Sequence, residues 1–235
     1  MYGRRKHVDE NKSIGISKIQ GSALIEAAYR NNVNCLETLL NANASVDAKD
    51  VPNKKTALRY AAFHENFEAI KILLDYGANI EEMDIIGHTT LTFSCVNDQL
   101  NVSKYLVKQK ANPSVTNALG NTILHEIIEE NAKKGNLLEK TPETFEFILQ
   151  QDGSLLEHEN VDGHTPYLYA CFKGIQIIMD YLKDEGASVN IRDNDGKSCE
   201  VLCHEYEAKR LTEEVGCLPF SGWYNIIQHQ LIDNI

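Results

Sequence analysis

The chain has 235 residues, 43% of them hydrophobic, and a formal net charge of −11 from 23 basic and 34 acidic side chains. That length and apolar content suffice for a large core, while the charge disfavours nonspecific binding to phosphate backbones and favours basic protein partners through long-range steering. No apolar run reaches the roughly 18 residues of a membrane span, and the N-terminus lacks the apolar segment of a signal peptide; nucleic acid and membrane are therefore excluded as partners, and an intracellular setting, cytoplasmic or nuclear, is expected.

Residues 1–16 are polar, carry a basic cluster at Arg4, Arg5 and Lys6, and are expected to form a flexible terminal segment. Beyond them a small polar residue followed by an apolar one returns at Ser22, Thr56, Thr89, Thr122, Thr165 and Ser198, at gaps of 34, 33, 33, 43 and 33 residues. A fixed period in this range means one supersecondary unit stacked repeatedly. After each of the first five caps comes a narrow stripe of mostly small side chains: Leu24, Ala27, Ala28; Leu58, Ala61, Ala62; Leu91, Ser94, Cys95; Leu124, Ile127, Ile128; Tyr167, Ala170, Cys171. This spacing predicts a short first helix in each unit. A second stripe (Leu36 and Leu39, Ile70 and Leu73, Val102 and Leu106, Phe145 and Leu149, Ile178 and Leu182) predicts a second one. Neither is long enough to persist alone, so each pair must bury its apolar faces against the next. The pairs end on Gly77-Ala78, Gly153-Ser154 and Gly186-Ala187, with Asn43-Ala44 and Lys110-Ala111 as variants, where glycine or asparagine takes the left-handed turn that stops a helix. Gly87, Gly120, Gly163 and Gly196 place a tight turn two residues before the cap.

Thr165-Pro166, Thr122-Ile123-Leu124-His125, Leu73 through Ile80 and Gly186 through Gly196 resemble successive pieces of the ankyrin repeat. The resemblance covers residues 17–215, as about five full units with a degenerate sixth. It implies an all-α solenoid of stacked helix pairs whose beta-turn fingertips and inner helices bind proteins. The domain is placed at 17–216. Two departures from the family pattern stand out: the proline after the cap survives only at Pro166 and the histidine only at His125, so the bonds these residues make between units are expected to be mostly missing. About ten extra residues fall within 130–142, which reads as a tolerated loop or a binding loop. The sixth unit loses its stripe at Glu200 and His204 and reads as a polar cap, and Pro219, Trp223, Ile226, Ile227, Leu231 and Ile232 in the 217–235 segment fit a capping helix or a short docking tail.

Chemical motifs fall short, so no catalytic residue, cofactor or small-molecule substrate is expected. Gly196-Lys197-Ser198 echoes a phosphate-binding loop, but Ile191 stands where its first glycine belongs; Asp193-Asn194-Asp195-Gly196 echoes a calcium loop, but Leu202 falls where its bidentate glutamate belongs. Cys199, Cys203 and His204 offer three soft ligands without an identifiable fourth, so no metal is expected. The six cysteines read as reduced, buried thiols.

Binding is therefore the expected function, and two surfaces are candidates. The resemblance places the fingertips at Val51-Pro52, Ile85-Ile86, Ala118-Leu119, Val161-Asp162 and Asn194-Asp195, an apolar row flanked by Asp50, Glu82, Asp84, Glu159, Asp162 and Asp195 that suits a basic, amphipathic partner segment. The alternative is that these apolar tips pack against neighbouring hairpins. The inner-helix positions are Arg59, Tyr60, Glu65, Asn66, Thr90, Thr92, Asp98 and Gln99. The chain is expected to act as an adaptor or competitive inhibitor; alternatives are an inhibitor of a transcription factor similar to the I-kappa-B arrangement, and a ubiquitin-ligase substrate adaptor whose Cys217-Leu218-Pro219-Phe220 resembles an F-box-like tail. Asn190, after Val189 and eight residues beyond Leu182, resembles asparagines hydroxylated by the factor-inhibiting-HIF oxygenase.

Overall fold

A computed structural model describes residues 23–135 and 140–215. The Ser22 cap, the 1–16 segment, part of the 130–142 insertion and the 217–235 segment with Cys217 and Trp223 lie outside these residues. Eleven α-helices are present among the described residues: α1 (Ala23–Tyr29), α2 (Val33–Asn41), α3 (Ala57–Phe63), α4 (Phe67–Asp75), α5 (Thr90–Val96), α6 (Leu100–Lys108), α7 (Ile123–Lys133), α8 (Glu143–Gln151), α9 (Pro166–Lys173), α10 (Gln176–Asp184) and α11 (Cys199–Val215). A single antiparallel bridge, Lys49 to Thr56, is the one β pairing among them. No helix of the described residues is long and apolar enough to cross a membrane.

The helices pair in sequence, and the first helices of successive pairs stack in the order α1, α3, α5, α7, α9, α11. All three stripe residues of each first helix are buried, from Leu24, Ala27 and Ala28 to Tyr167, Ala170 and Cys171. Small side chains allow this close stacking, while the second helices contribute larger ones such as Ile70, Leu106, Phe145 and Leu182. Thr56, Thr89 and Thr165 cap their helices through the hydroxyl, accepting from Arg59, Thr92 and Leu168 N–H respectively. Asn43, Gly77, Lys110 and Gly186 carry the positive φ that ends the second helices. Gly153 does not; there the chain turns instead through a 3-10 segment, Gly153–Glu157, whose Leu155 is buried.

The structure adds detail where the repeat departs from its pattern. His125 keeps its bond to the next unit, at His164 O, and other residues supply further bonds between units. Arg59 Nη1 donates to Thr89 O at 2.8 Å, and Asn79, Asn112 and Ser188 N–H donate to Asp47, Glu81 and Glu157 carboxylates of the preceding unit. The first residues of the fourth-unit insertion extend α7 to 11 residues, and Glu129–Lys133 and Glu130–Lys134 pairs lie at its C-terminal end. The sixth unit is one 17-residue helix, α11, lying against α9 with Leu202 buried.

The cysteines are not all reduced and buried. Cys35 is exposed, and Cys171 and Cys199 form a disulfide that joins α9 to α11, Cα to Cα 5.3 Å. Their separation of 28 residues gave no sign of contact, because only stacking brings the last stripe position of one unit against the first helical residue of the next. Cys95 behaves as expected: it is buried and its thiol is pushed up to about 12 by desolvation.

Candidate functional site

The hairpins between units are built on one repeated device. An Asp or Asn five residues before the cap folds its Oδ1 back onto two backbone N–H groups of its own turn. Asp84 accepts from Ile86 and His88, Asn117 from Leu119 and Asn121, Asn160 from Asp162 and His164, and Asp193 from Asp195 and Lys197, all between 2.8 and 3.1 Å. These side chains mimic a backbone turn and fix each tip's direction. This recurrence is written in the sequence at a fixed spacing of five residues before the cap.

The hairpins are also tied to one another. Ile85 N–H donates to Asn53 O, Val161 N–H to Leu119 O, and Asn194 N–H to Asp162 O, at 3.0 to 3.1 Å. Side chains add to this. Asn160 donates to Asn121 Oδ1 at 2.9 Å, and His88 lies 2.7 Å from Glu126 and His164 3.3 Å from Asp193. Burial acts to raise the Glu126 carboxyl, but bonds from His88 and Asn121 outweigh it and hold the group below its ordinary range. The tips are thus fixed in a row by buried polar groups beneath them.

On that base the apolar tip side chains face outward. Val51, Ile85, Ile86, Leu119 and Val161 are 56 to 61% exposed, so the hairpins pair through backbone while their side chains stay in solvent. Pro52 and Asp162 are exposed beside them. The acidic flank is shorter than expected. Asp50 and Asp84 are buried, Asp84 against the Arg59 guanidinium at 2.9 Å, because each carboxylate is needed inside its own hairpin. Glu82 is engaged by Lys49. Glu159, Asp162 and Asp195 remain exposed.

The inner-helix set divides in the same way. Arg59 is 5% exposed, bridges Asp84 and Thr89 O, and stacks on the Phe93 ring at 3.8 Å; burial lowers it to about 10. Thr90 and Thr92 are buried. Asn66 donates to Ala28 O and Tyr29 O, capping α1; Gln99 donates to Phe63 O; Asp98 accepts from Thr144 N–H at the start of α8. Tyr60 donates to Asp50 at 2.7 Å. Most of this set joins one unit to the next; Glu65 and Asp98, both exposed at positive φ, are the members with open surface. Asn190 is exposed in the turn after α10.

Beyond Tyr60, already an inner-helix candidate, an aromatic pattern also recurs that the sequence reading does not single out. Four residues after the cap stand Tyr60, Phe93 and Tyr169, and seven after it Tyr29, Phe63 and Phe172. They form two clusters along the exposed edge of the first helices. Phe63 packs against His64 and Phe93, and Tyr29 against His64 and Tyr60; Phe172 stacks on His164 at 5.3 Å, with Tyr169 and Lys173 alongside. Phe63 and Phe172 are 52% and 40% exposed. Tyr169 and Lys173 both reach Glu129, at 2.8 and 2.7 Å.

Comparison with known proteins agrees with this architecture. A family profile described as "Ankyrin repeats (3 copies)" matches residues 6–84, and one described as "Ankyrin repeat" matches residues 162–194. A putative ankyrin repeat protein of Rickettsia bellii is 33% identical over 105 residues, covering 43% of this chain and 28% of the relative. The serine/threonine-protein kinase TNNI3K of Mus musculus is 25% identical over 139 residues, covering 59% of this chain and 15% of the relative. The chain thus spans less than a third of the curated relatives it matches. A chain from the solved complex of a predatory endopeptidase of Bdellovibrio bacteriovorus with an immunity protein superposes with a TM-score of 0.61 at 27% identity, over 80% of this chain and 93% of that one.

Proposed function

The chain belongs to the ankyrin-repeat family, and on that premise we propose that it is a protein–protein interaction module that holds a folded protein or peptide and blocks it by occupancy. The observation that carries this reading is the row of Val51, Ile85, Ile86, Leu119 and Val161, held outward on hairpins braced by hydrogen bonds beneath them. Large aliphatics held in water on a rigid base release free energy when a partner buries them, and exposed apolar area is a usual mark of such a site. The aromatic edge of Phe63 and Phe172 supplies anchors of the kind that dominate interface energetics. The structurally similar chain comes from a complex of two proteins, which supports a protein ligand for this fold. Binding, not catalysis, is the proposed activity. Glu159, Asp162 and Asp195 beside the tips, with the net charge of −11, favour a partner segment that is basic and amphipathic.

The test compares affinity capture by the wild-type chain with that by an Ile85→Asp, Ile86→Asp, Leu119→Asp variant whose helicity is confirmed by circular dichroism. Three exposed substitutions leave the core intact, so the variant is expected to fold and to lose at least tenfold in affinity for any partner seated on the tips. Unchanged capture by the folded variant overturns the fingertip reading.

A further inference from the structure

The junction of α9 and α11 holds one sulfur more than a disulfide uses. Stacking delivers Cys171 from the last stripe position of α9, and α11 supplies Cys199 and Cys203, four residues apart and hence on one helix face. The three sulfurs all lie within 4.8 Å of one another, and the Cys199 and Cys203 sulfurs are 3.9 Å apart. Cys203 also directs its thiol toward Cys171 O at 3.7 Å, so its side chain turns into the junction instead of toward solvent. Cys171 is fully buried and the other two are half-buried, which leaves one side of the triangle open.

Sulfurs that surround one cation at about 2.3 Å stand roughly 3.8 to 4.0 Å apart, in trigonal or tetrahedral geometry alike. The Cys199–Cys203 spacing already has this value. We propose that, once the disulfide is reduced, Cys171, Cys199 and Cys203 form a three-thiolate site for a single soft cation of the cuprous or zinc type. Thiolates select these ions over hard ones. Two equivalents of a small thiol reductant become one disulfide of that reductant, and the Cys171–Cys199 bond becomes two thiols that separate to the Cys199–Cys203 spacing. The incoming cation then displaces three thiol protons to solvent. Three sulfurs complete a trigonal cuprous site, and a zinc ion takes a water on the open side as its fourth ligand. His204, the neighbouring residue with a ligating nitrogen, is exposed and lies outside the triangle. In either redox state α11 is thereby fastened to the stack, by a covalent bond when oxidised and by a cation when reduced.

The full chain tests this. After reduction and removal of the reductant under anaerobic conditions, it is titrated with zinc ions against a chromogenic chelator and, separately, with cuprous ions against a cuprous-specific one. The expected result is one equivalent captured per chain from at least one of the two chelators, with three fewer thiols open to a thiol-reactive dye. A Cys35→Ser, Cys95→Ser, Cys217→Ser variant should capture equally well. Cys203→Ser should weaken capture at least tenfold, yet still form the Cys171–Cys199 disulfide on oxidation, which reports that its fold is intact. No capture from either chelator, or equal capture by Cys203→Ser, overturns the site.

Discussion

His125 shows how much one buried side chain reports in this protein. Its Nδ1 accepts from the Thr122 N–H at 3.3 Å, so the proton sits on Nε2 and is donated to His164 O of the next unit at 2.9 Å. Desolvation, resisted only partly by that backbone bond, lowers the ring to about 4. Unfolded, the same ring titrates near 6.5, so the unfolded chain takes up the proton first as pH falls. The stability that depends on the neutral ring is complete above about pH 6.5 and is lost progressively toward pH 4, roughly 3 kcal/mol in all. Glu126 and Asp193 act lower: burial raises both, their hydrogen bonds outweigh it, and their depressed carboxyls contribute above the ordinary carboxylate range and cease to as pH drops through their folded values. Urea midpoints measured across pH 4 to 6.5 should therefore slope for the wild type and flatten in His125→Asn, which removes the titrating group; an undiminished slope contradicts the assignment. The role of His125 was legible from its place after Thr122. That of Arg59 was not, since an arginine on a short helix gives no sign that Asp84, 25 residues on, will bury it.

Helices and hairpins differ in how openly the chain declares them. Caps and small-residue stripes recur at constant offsets, and every stripe position of the first helices is buried as the period implies. The Gly153 turn and the single long α11 were not legible, because each replaces a repeat feature with a local solution that follows no period. The hairpins bear most on function, and Gly163 tests their rigidity. At φ +76°, a Cβ there would lie 2.5 Å from Asn194 Oδ1 and 2.8 Å from Asn194 N, beside the Asn194-to-Asp162 bond that ties two tips together. Gly77 has a similar φ of +82° but open space around it. Gly77→Ala should cost only the left-handed conformation, about 1 to 2 kcal/mol. Gly163→Ala should cost at least ~1 kcal/mol more, since neighbouring backbone must move as well. Equal losses in urea denaturation would mean that the hairpins are not packed as closely as described.

At the scale of the molecule, stacking converts a 33-residue period into a continuous surface, and this is where sequence and structure part most clearly. The apolar tips were legible because their offset from the turn glycine is constant. The inner-helix set was legible only in part, because stacking buries Arg59 and Thr90 and bonds Asn66, Asp98 and Gln99 to other units, while Phe63 and Phe172 stand exposed. The central claim is that the outward tips and the aromatic edge receive a protein partner. Hydrogen–deuterium exchange of the chain with and without a captured partner tests it most directly. The account predicts new protection concentrated in the hairpins around Val51, Ile85, Leu119 and Val161 and at the ends of α3 and α9 that carry Phe63 and Phe172. Protection confined to the second helices, α2, α4, α6, α8 and α10, with the hairpins unchanged, would contradict it.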